Sequence, residues 1–271
     1  MRFFKAHGLG NDYLVAVDAS APLDPHAVRA YCDRHRGFGA DGILEPTASR
    51  RADHGVRIWN PDGSVAEKSG NGLRIFAYWL SRDRGVGDRF SVDTGTDVVR
   101  CEVDGRVVTV EMGVATVGPW RDQVVPASTL GAGEGELRVT EVRIGNPHAV
   151  VWAPGADLDA LPWRTWGAAL EQHPHFPERT NVQFVEPLPD GAAIRIWERG
   201  AGETSASGSS SCAVAAVAAA RGHQPVDVTQ AITMPGGVLH VIVRGSGEVR
   251  LRGPVAPVGT LDVDAEYDSG P

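Results

Sequence analysis

Two short segments of this chain, Ser69-Gly70-Asn71-Gly72 and Ser207-Gly208-Ser209-Ser210, each place a hydroxyl and small residues just ahead of an apolar helical stretch. A helix start carries backbone N–H groups without intrahelical partners and the positive end of the helix dipole, which together make a seat for a carboxylate. Glycine in the first turn lets a ligand approach the backbone closely. Two such helix starts aimed at one carboxylate would also stabilise the enolate-like charge left when its α-proton departs. Inverting a stereocentre needs an acid on one face and a base on the other. A matched pair of hydroxyl-bearing loops has the composition for that chemistry.

The elements that must position these loops form an internal repeat. Arg57-Ile58-Trp59-Asn60 recurs as Arg195-Ile196-Trp197-Glu198, and a Ser-Gly pair begins twelve residues after each arginine. Gly10-Asn11 is echoed by Gly145-Asn146, Ile43-Leu44-Glu45-Pro46 by Phe184-Val185-Glu186-Pro187, and Gly95-Thr96 by Gly236-Gly237. Order is preserved throughout, so the matches describe one unit used twice. Each unit predicts a short strand (Arg57 to Trp59, or Arg195 to Trp197), a polar glycine-rich loop ending at Ser-Gly, and an apolar helix (Leu73 to Leu80, or Cys212 to Ala220). Alternation over Val98 to Val110 and Val238 to Val243 predicts further strands. The expected fold class is α+β, with two pseudo-symmetric halves, each a sheet wrapped around a central helix. The expected boundaries are residues 1–117 plus 255–271 for the first half and 118–254 for the second, with Ser69 and Ser207 facing one cleft.

Composition narrows the class. With 271 residues and 42% hydrophobic content the chain can bury a substantial core. A formal charge of −8 argues against nucleic acid as a main partner. No window supplies the ~18 apolar residues of a membrane span, and the start, Met1-Arg2-Phe3-Phe4-Lys5-Ala6-His7, lacks a secretory apolar run. The expectation is a cytoplasmic protein with no membrane partner.

Several segments resemble the diaminopimelate epimerase family. Asn60-Pro61-Asp62-Gly63-Ser64-Val65-Ala66-Glu67-Lys68-Ser69-Gly70-Asn71-Gly72-Leu73-Arg74 is similar to its first signature, and Trp197-Glu198-Arg199-Gly200-Ala201-Gly202-Glu203-Thr204 through Gly208 to its second. Gly8-Leu9-Gly10-Asn11-Asp12, Gly145-Asn146-Pro147-His148-Ala149-Val150, Arg179-Thr180-Asn181-Val182 and Pro235-Gly236-Gly237 add to the likeness, which runs from Met1 to about Val258. The resemblance implies a homodimeric amino-acid epimerase or racemase of lysine biosynthesis, working without pyridoxal phosphate, other cofactor or metal. It implies that Ser69 and Ser207 occupy the places of two proton-transferring cysteines, with His148 and Glu198 beside them. It further implies that Gly70, Asn71, Gly208 and Ser209 hold the reacting carboxylate and that Asn11 and Glu198 meet the reacting ammonium. Asn60, Asn146, Asn181 and Arg199 match the group that grips the distal amino-acid end, a task suited to the planar guanidinium fork.

The departures bear on chemistry. A thiol at a helix start ionises near neutral pH, whereas an alcohol lies at least ~4 pK units higher, a rate penalty of roughly 10³–10⁴ if uncompensated. Lys68 replaces a usually apolar residue and Gly42 a common glutamine. The expected activity is α-carbon epimerisation of a diaminopimelate-like amino acid. Alternatives are a lyase or proton-shifting isomerase, or a non-catalytic amino-acid binder.

Other signals carry less. Gly37-Phe38-Gly39-Ala40-Asp41-Gly42 matches GxGxxG, but a predicted helix precedes it and a predicted strand follows, the reverse of a dinucleotide site. Cys212, ~140° around the helix from Ser207, is expected to pack in the core. His173-Pro174-His175 lacks the convergent ligands a zinc site needs.

Overall fold

A computed structural model describes residues 1–18, 22–118, 123–131, 135–264 and 267. The chain divides into two compact units, Met1–Val110 with Gly253–Pro271, and Glu111–Arg252. The last four residues of the tail expected to join the first half lie outside the described residues.

The first unit contains β1 (Arg2–Gly8), β2 (Asn11–Ala16), α1 (Pro25–Cys32), β3 (Ile43–Thr47), β4 (His54–Trp59), β5 (Val65–Ala66), α2 (Gly70–Arg84), β6 (Arg89–Asp93), β7 (Val98–Asp104) and the first half of β8 (Val107–Val114). The second contains β9 (Thr116–Val117), β10 (Gln123–Pro126), β11 (Glu136–Ile144), β12 (Asn146–Trp152), α3 (Trp163–Glu171), β13 (Asn181–Leu188), β14 (Gly191–Glu198), β15 (Gly202–Thr204), α4 (Gly208–Ala220), β16 (Thr229–Met234), β17 (Gly237–Val243) and most of β18 (Glu248–Pro254). The chain then adds β19 (Ala256–Asp262) to the first unit, antiparallel to β1.

Strand pairing repeats between the units. In the first, β1–β2 is antiparallel, β2–β3 parallel, β3–β4 and β4–β5 antiparallel, β4–β6 parallel, and β6–β7 and β7–β8 antiparallel. The second gives the same series from β11–β12 through β17–β18. Two units sharing two parallel crossovers at the same places carry one topology, as the sequence repeat implies.

Two details differ from expectation. The stretch from Val98 to Val110 is a hairpin, because Gly105 takes φ 59° in a turn that reverses the chain. Asp104 pairs with Val107, and glycine at the first of the two central residues, Gly105-Arg106, is a signal for such a turn. The match of Ile43 with Phe184 is also two residues out. Trp59 faces Ile43 and Trp197 faces Val182, so Ile43 corresponds to Val182, Leu44 to Gln183 and Gly42 to Asn181. A shift of two preserves the inward and outward alternation of a strand, so hydrophobic pattern alone does not expose it.

Each unit buries one helix on its strands. On α2 every residue from Gly70 to Leu80 is buried, and on α4 every residue from Gly208 to Ala218 except Ser209. Strands β9, β11, β12, β13, β14, β16 and β17 all contact α4. Its alanines let those strands approach closely. The shorter α1 starts with Asp24 capping the Ala27 N–H and proline in the first turn, in line with helix-start preferences. It belongs to a second apolar cluster with Phe3, Leu14, Tyr31 and Trp59. In the other unit α3 contributes Trp163, Trp166 and Leu170 to the equivalent cluster with Val139, Val151 and Phe184. The glycine-rich loop at Gly37–Gly42 runs from α1 into β3, the order that rules out a dinucleotide fingerprint. No described helix is long and apolar enough to cross a membrane.

The enclosure of α4 sets a stability test. Ala215→Leu should force extra methylenes into a full core and cost about 1–3 kcal/mol. Ala220→Leu, at the partly exposed end of α4, should cost much less. Urea unfolding midpoints of the two variants check the difference.

Candidate active site

The two Ser-Gly loops end alike. Ser69 is the N-cap of α2 (φ −137°, ψ 116°) and Ser207 the N-cap of α4 (φ −142°, ψ 123°). Ser69 Oγ accepts the Gly72 N–H at 3.0 Å, and Ser207 Oγ accepts the Ser210 N–H at 3.4 Å. The carbonyls of both serines accept the next N–H along, from Leu73 and Ser211. Capping therefore engages the third and fourth residues of each cap segment, while the first two N–H groups of a helix have no intrahelical acceptor. Those belong to Gly70 and Asn71 in one unit and to Gly208 and Ser209 in the other.

Side chains around α2 form a connected polar chain. Asn71 donates to Asn11 Oδ1 at 2.9 Å, and Asn11 donates in turn to Asp41 at 2.8 Å. Arg34 bridges Asp41 and Asp12, and Lys5 lies 3.0 Å from Asp12. These two cations, acting against burial, hold the Asp12 carboxyl below the usual range. On the other side Arg74, wholly buried, donates to Asn71 Oδ1 at 2.7 Å and to the Gly70 carbonyl at 3.2 Å. Both amide groups are thus fixed in orientation from Arg74 through to Asp41. Tyr13 OH lies 3.0 Å from Ser69 Oγ. Asn60 closes its own turn by donating to Ser64 Oγ. Lys68 faces Asp97 at 2.7 Å, with most of its side chain covered.

The second unit gathers a different set. His148 Nε2 is 2.9 Å from Asn146 Oδ1, and His148 Nδ1 is 3.1 Å from Gln183 Nε2. An acceptor on one nitrogen and a donor on the other select the neutral ring with its proton on Nε2. Burial acts in the same direction and pushes the His148 pKa down to about 3. Gln183 also donates to Ser210 Oγ at 3.0 Å, tying the imidazole to the first turn of α4. Asn181 donates to the Pro147 carbonyl and accepts the Arg199 N–H, while the Arg199 guanidinium donates to the Glu178 carbonyl. Glu198, partly buried, ends β14 directly before Arg199. Ser207 is itself buried, with its hydroxyl 3.5 Å from that of Ser209.

Within one unit, then, the fold assembles Asn11, Ser69, Gly70 and Asn71 at one helix start. Within the other, Asn146 and His148 are linked through Gln183 to Ser210 in the first turn of α4, behind Ser207, Gly208 and Ser209, and Asn181 is bonded to Arg199 and to the Pro147 carbonyl. Sequence reasoning left out Tyr13, Asp41, Arg74 and Gln183. Tyr13 and Gln183 had a signal: extending the Gly-Asn match by two residues pairs Tyr13 with His148, and Gln183 is a polar residue amid an apolar strand. Cys32, Cys101 and Cys212 are all buried and free, and burial raises the Cys32 thiol to about 12. Among the described residues no group of three or more His, Cys, Asp and Glu side chains could hold a metal ion.

Neutral His148 has a consequence for acid stability. An ordinary histidine takes up its proton near pH 6.5, as the unfolded chain would, while the folded protein resists until about pH 3. Stability is therefore independent of this group above pH 6.5 and falls as pH drops from there towards 3. The slope from one such group is at most about 1.4 kcal/mol per pH unit. His148→Gln should flatten this part of the profile, read from urea unfolding between pH 7 and 4. An unchanged slope would show that His148 ionises normally in the folded protein.

The diaminopimelate epimerase family profile matches residues 3–118 and 140–257. Diaminopimelate epimerase of Desulforudis audaxviator (strain MP104C) is 41% identical over 275 aligned residues, covering 95% of this chain and 97% of its own. Diaminopimelate epimerase 2 of Nostoc sp. is 39% identical, covering 98% and 96%. Among solved structures, a PhzF-family phenazine biosynthesis protein of Bacillus anthracis shares the fold with a TM-score of 0.74 at 14% identity, covering 97% of this chain and 98% of its own. A hydroxyproline epimerase of Agrobacterium vitis with bound trans-4-hydroxy-L-proline gives 0.70 at 17%, covering 96% and 91%. With a family match over both repeats and relatives near 40% identity along almost the whole chain, this protein belongs to the diaminopimelate epimerase family.

Proposed function

We propose that this protein epimerises the α-carbon of diaminopimelate or a close analogue without a cofactor, using Ser69 and Ser207 as its two proton carriers. The observation carrying this reading is the duplicated N-cap. Two helix starts with matching backbone angles each present a serine hydroxyl and two N–H groups outside the intrahelical ladder. Its relatives are named diaminopimelate epimerases, and the polar residues matching the family's substrate groups are retained. The first-turn N–H groups of Gly70, Asn71, Gly208 and Ser209 receive the reacting carboxylate, so that charge developing on deprotonation falls on fixed dipoles. Asn11 and Glu198 meet the ammonium group. Asn60, Asn146, Asn181 and Arg199 take the distal end. His148, held neutral, fixes the start of α4 through Gln183 and Ser210, beside Ser207.

Serine makes the proton transfers harder than cysteine would. The helix dipole and the capping N–H favour an oxygen bearing negative charge, yet the gap in intrinsic acidity exceeds what a dipole of at most ~2 kcal/mol restores. The native enzyme is accordingly slow, or it draws on further groups at the serines. The same reading makes the protein a cytoplasmic homodimer, which sedimentation at micromolar concentration tests.

Three measurements test the activity. Incubation with diaminopimelate in D₂O should give α-deuterium incorporation with inversion. Loss or rearrangement of the substrate without inversion would replace epimerisation by a lyase or proton-shift reaction. Ser69→Cys with Ser207→Cys should raise epimerisation by a factor approaching ~10³, each single variant less, since inversion needs a competent group on both faces. A folded double variant that binds diaminopimelate and shows no exchange would defeat the thiolate-deficit account. Arg199→Ala should weaken diaminopimelate binding by about 2–4 kcal/mol and leave a monocarboxylic amino acid little affected. Equal losses for the two ligands in calorimetry would remove Arg199 from the distal site.

A further inference from the structure

The two units share a topology but differ in what they place beside each serine. Strand register makes Tyr13 the counterpart of His148, Leu44 of Gln183 and Gly42 of Asn181. In the second unit the polar set His148, Gln183 and Ser210 is bonded internally and reaches the first turn of α4 at Ser210. In the first unit the equivalents of Gln183 and Ser210 are apolar or absent. Leu44 packs where a side chain at Gly72 would begin, its Cδ2 3.0 Å from that point. The residue matching His148 is there a longer ring ending in a hydroxyl, and it reaches the N-cap itself.

Room for that ring comes from Gly42. A Cβ at this position would lie 2.7 Å from Tyr13 Cε1 and 2.3 Å from the Trp59 carbonyl oxygen. Its counterpart, Asn181, carries a full side chain. The absence of a side chain at 42 therefore lets the Tyr13 ring lie where its hydroxyl meets Ser69 Oγ at 3.0 Å. Tyr13 is buried and Ser69 only partly so, so the serine faces outward with the phenol behind it.

Either hydroxyl can be the donor across this contact, which is what a proton relay requires. A serine hydroxyl has one proton and two acceptor positions. The Gly72 N–H takes one acceptor position. With the Tyr13 O–H in the other, the serine's own proton is left for a ligand. We propose that Tyr13 is the proton-relay partner of Ser69, the group that lets an alcohol act in this half. The proposal rests on the epimerase reading above.

The step balances as follows. Ser69 gives its proton to the α-carbanion, forming the C–H bond and breaking its O–H bond, while Tyr13 passes its phenolic proton to Ser69 Oγ. The pair ends as neutral serine and phenolate, and Ser69, the partly exposed member, passes a solvent proton back to the phenolate. In the opposite direction the phenolate takes the serine proton as the serine oxygen takes the α-proton. A phenol ionises near ~10 in water against ~15.7 for water itself, which an alcohol resembles. Charge is therefore held on an oxygen several powers of ten better suited to it than an isolated alkoxide.

Tyr13→Phe removes one hydroxyl and keeps the ring. In the otherwise native chain it should lower α-proton exchange of diaminopimelate in D₂O by about 10²-fold or more, within the range of general acid–base contributions. The loss should appear in kcat, with KM changed little, and the pH dependence contributed by the phenol should vanish. In a Ser69→Cys background, where the thiol ionises unaided, the same change should cost about threefold or less, because the relay is then redundant. Near-native exchange and an unchanged pH profile in Tyr13→Phe would overturn the proposal. So would an equal loss in the two backgrounds, which marks a packing defect. Absence of exchange in the native chain under all conditions would overturn the epimerase reading and the relay with it, a result distinct from native exchange that survives loss of the hydroxyl.

Discussion

A helix enclosed by strands on every side can offer a ligand little but its end. That constraint governs both halves of this protein. The apolar surface of α4 is buried from Gly208 to Ala218 save for Ser209, and α2 is buried over its first eleven residues. Backbone N–H groups in the first turn cannot be satisfied from within the helix. A serine N-cap answers part of that need, and the remaining donors sit with the positive end of the dipole. The chemistry the family carries out, stabilising charge next to a carboxylate while a proton moves, fits what such an end supplies.

The unlike surroundings of the two helix starts follow from substitutions at equivalent positions of one topology. Arg74 on α2 corresponds to Cys212 on α4, both fully buried. A buried guanidinium near the positive end of a helix dipole is a costly placement. Its bonds to the Gly70 carbonyl and to Asn71 offset that cost and orient the amide chain reaching Asp41. The second unit has no cation at this place. It relies on a neutral imidazole and an amide, which are cheaper to bury and serve to fix geometry. One fold thus supports a charged, relay-bearing helix start in one half and a neutral, tightly packed one in the other.

Serine changes the energetics without disturbing the architecture. It is among the favoured N-cap residues, and both serines accept the capping hydrogen bond. In the reading proposed above, exchanging sulfur for oxygen would therefore be benign for folding and consequential for acidity. Cap geometry depends on an acceptor, whereas acid–base chemistry depends on the strength of the bond to hydrogen.

The sequence by itself determined the duplicated unit, the α+β class, the two buried helices and the serines that begin them. Hydrophobic period, glycine placement and cap preference are local properties, and each is read within about a dozen residues. Gly105 is a turn signal of the same local kind, and the buried positions change phase across it, from Val99, Cys101 and Val103 to Val108, Val110 and Met112. Only the tertiary structure decided the strand register that aligns Ile43 with Val182, since a two-residue slip leaves every side chain on its proper face. It alone decided the bonds linking Asn11 to Asp41, Gln183 to both His148 and Ser210, and Tyr13 to Ser69. Each joins residues 27 to 56 positions apart. Hydrogen bonds across such separations depend on how strands and helices pack together, and no periodicity along the chain encodes them.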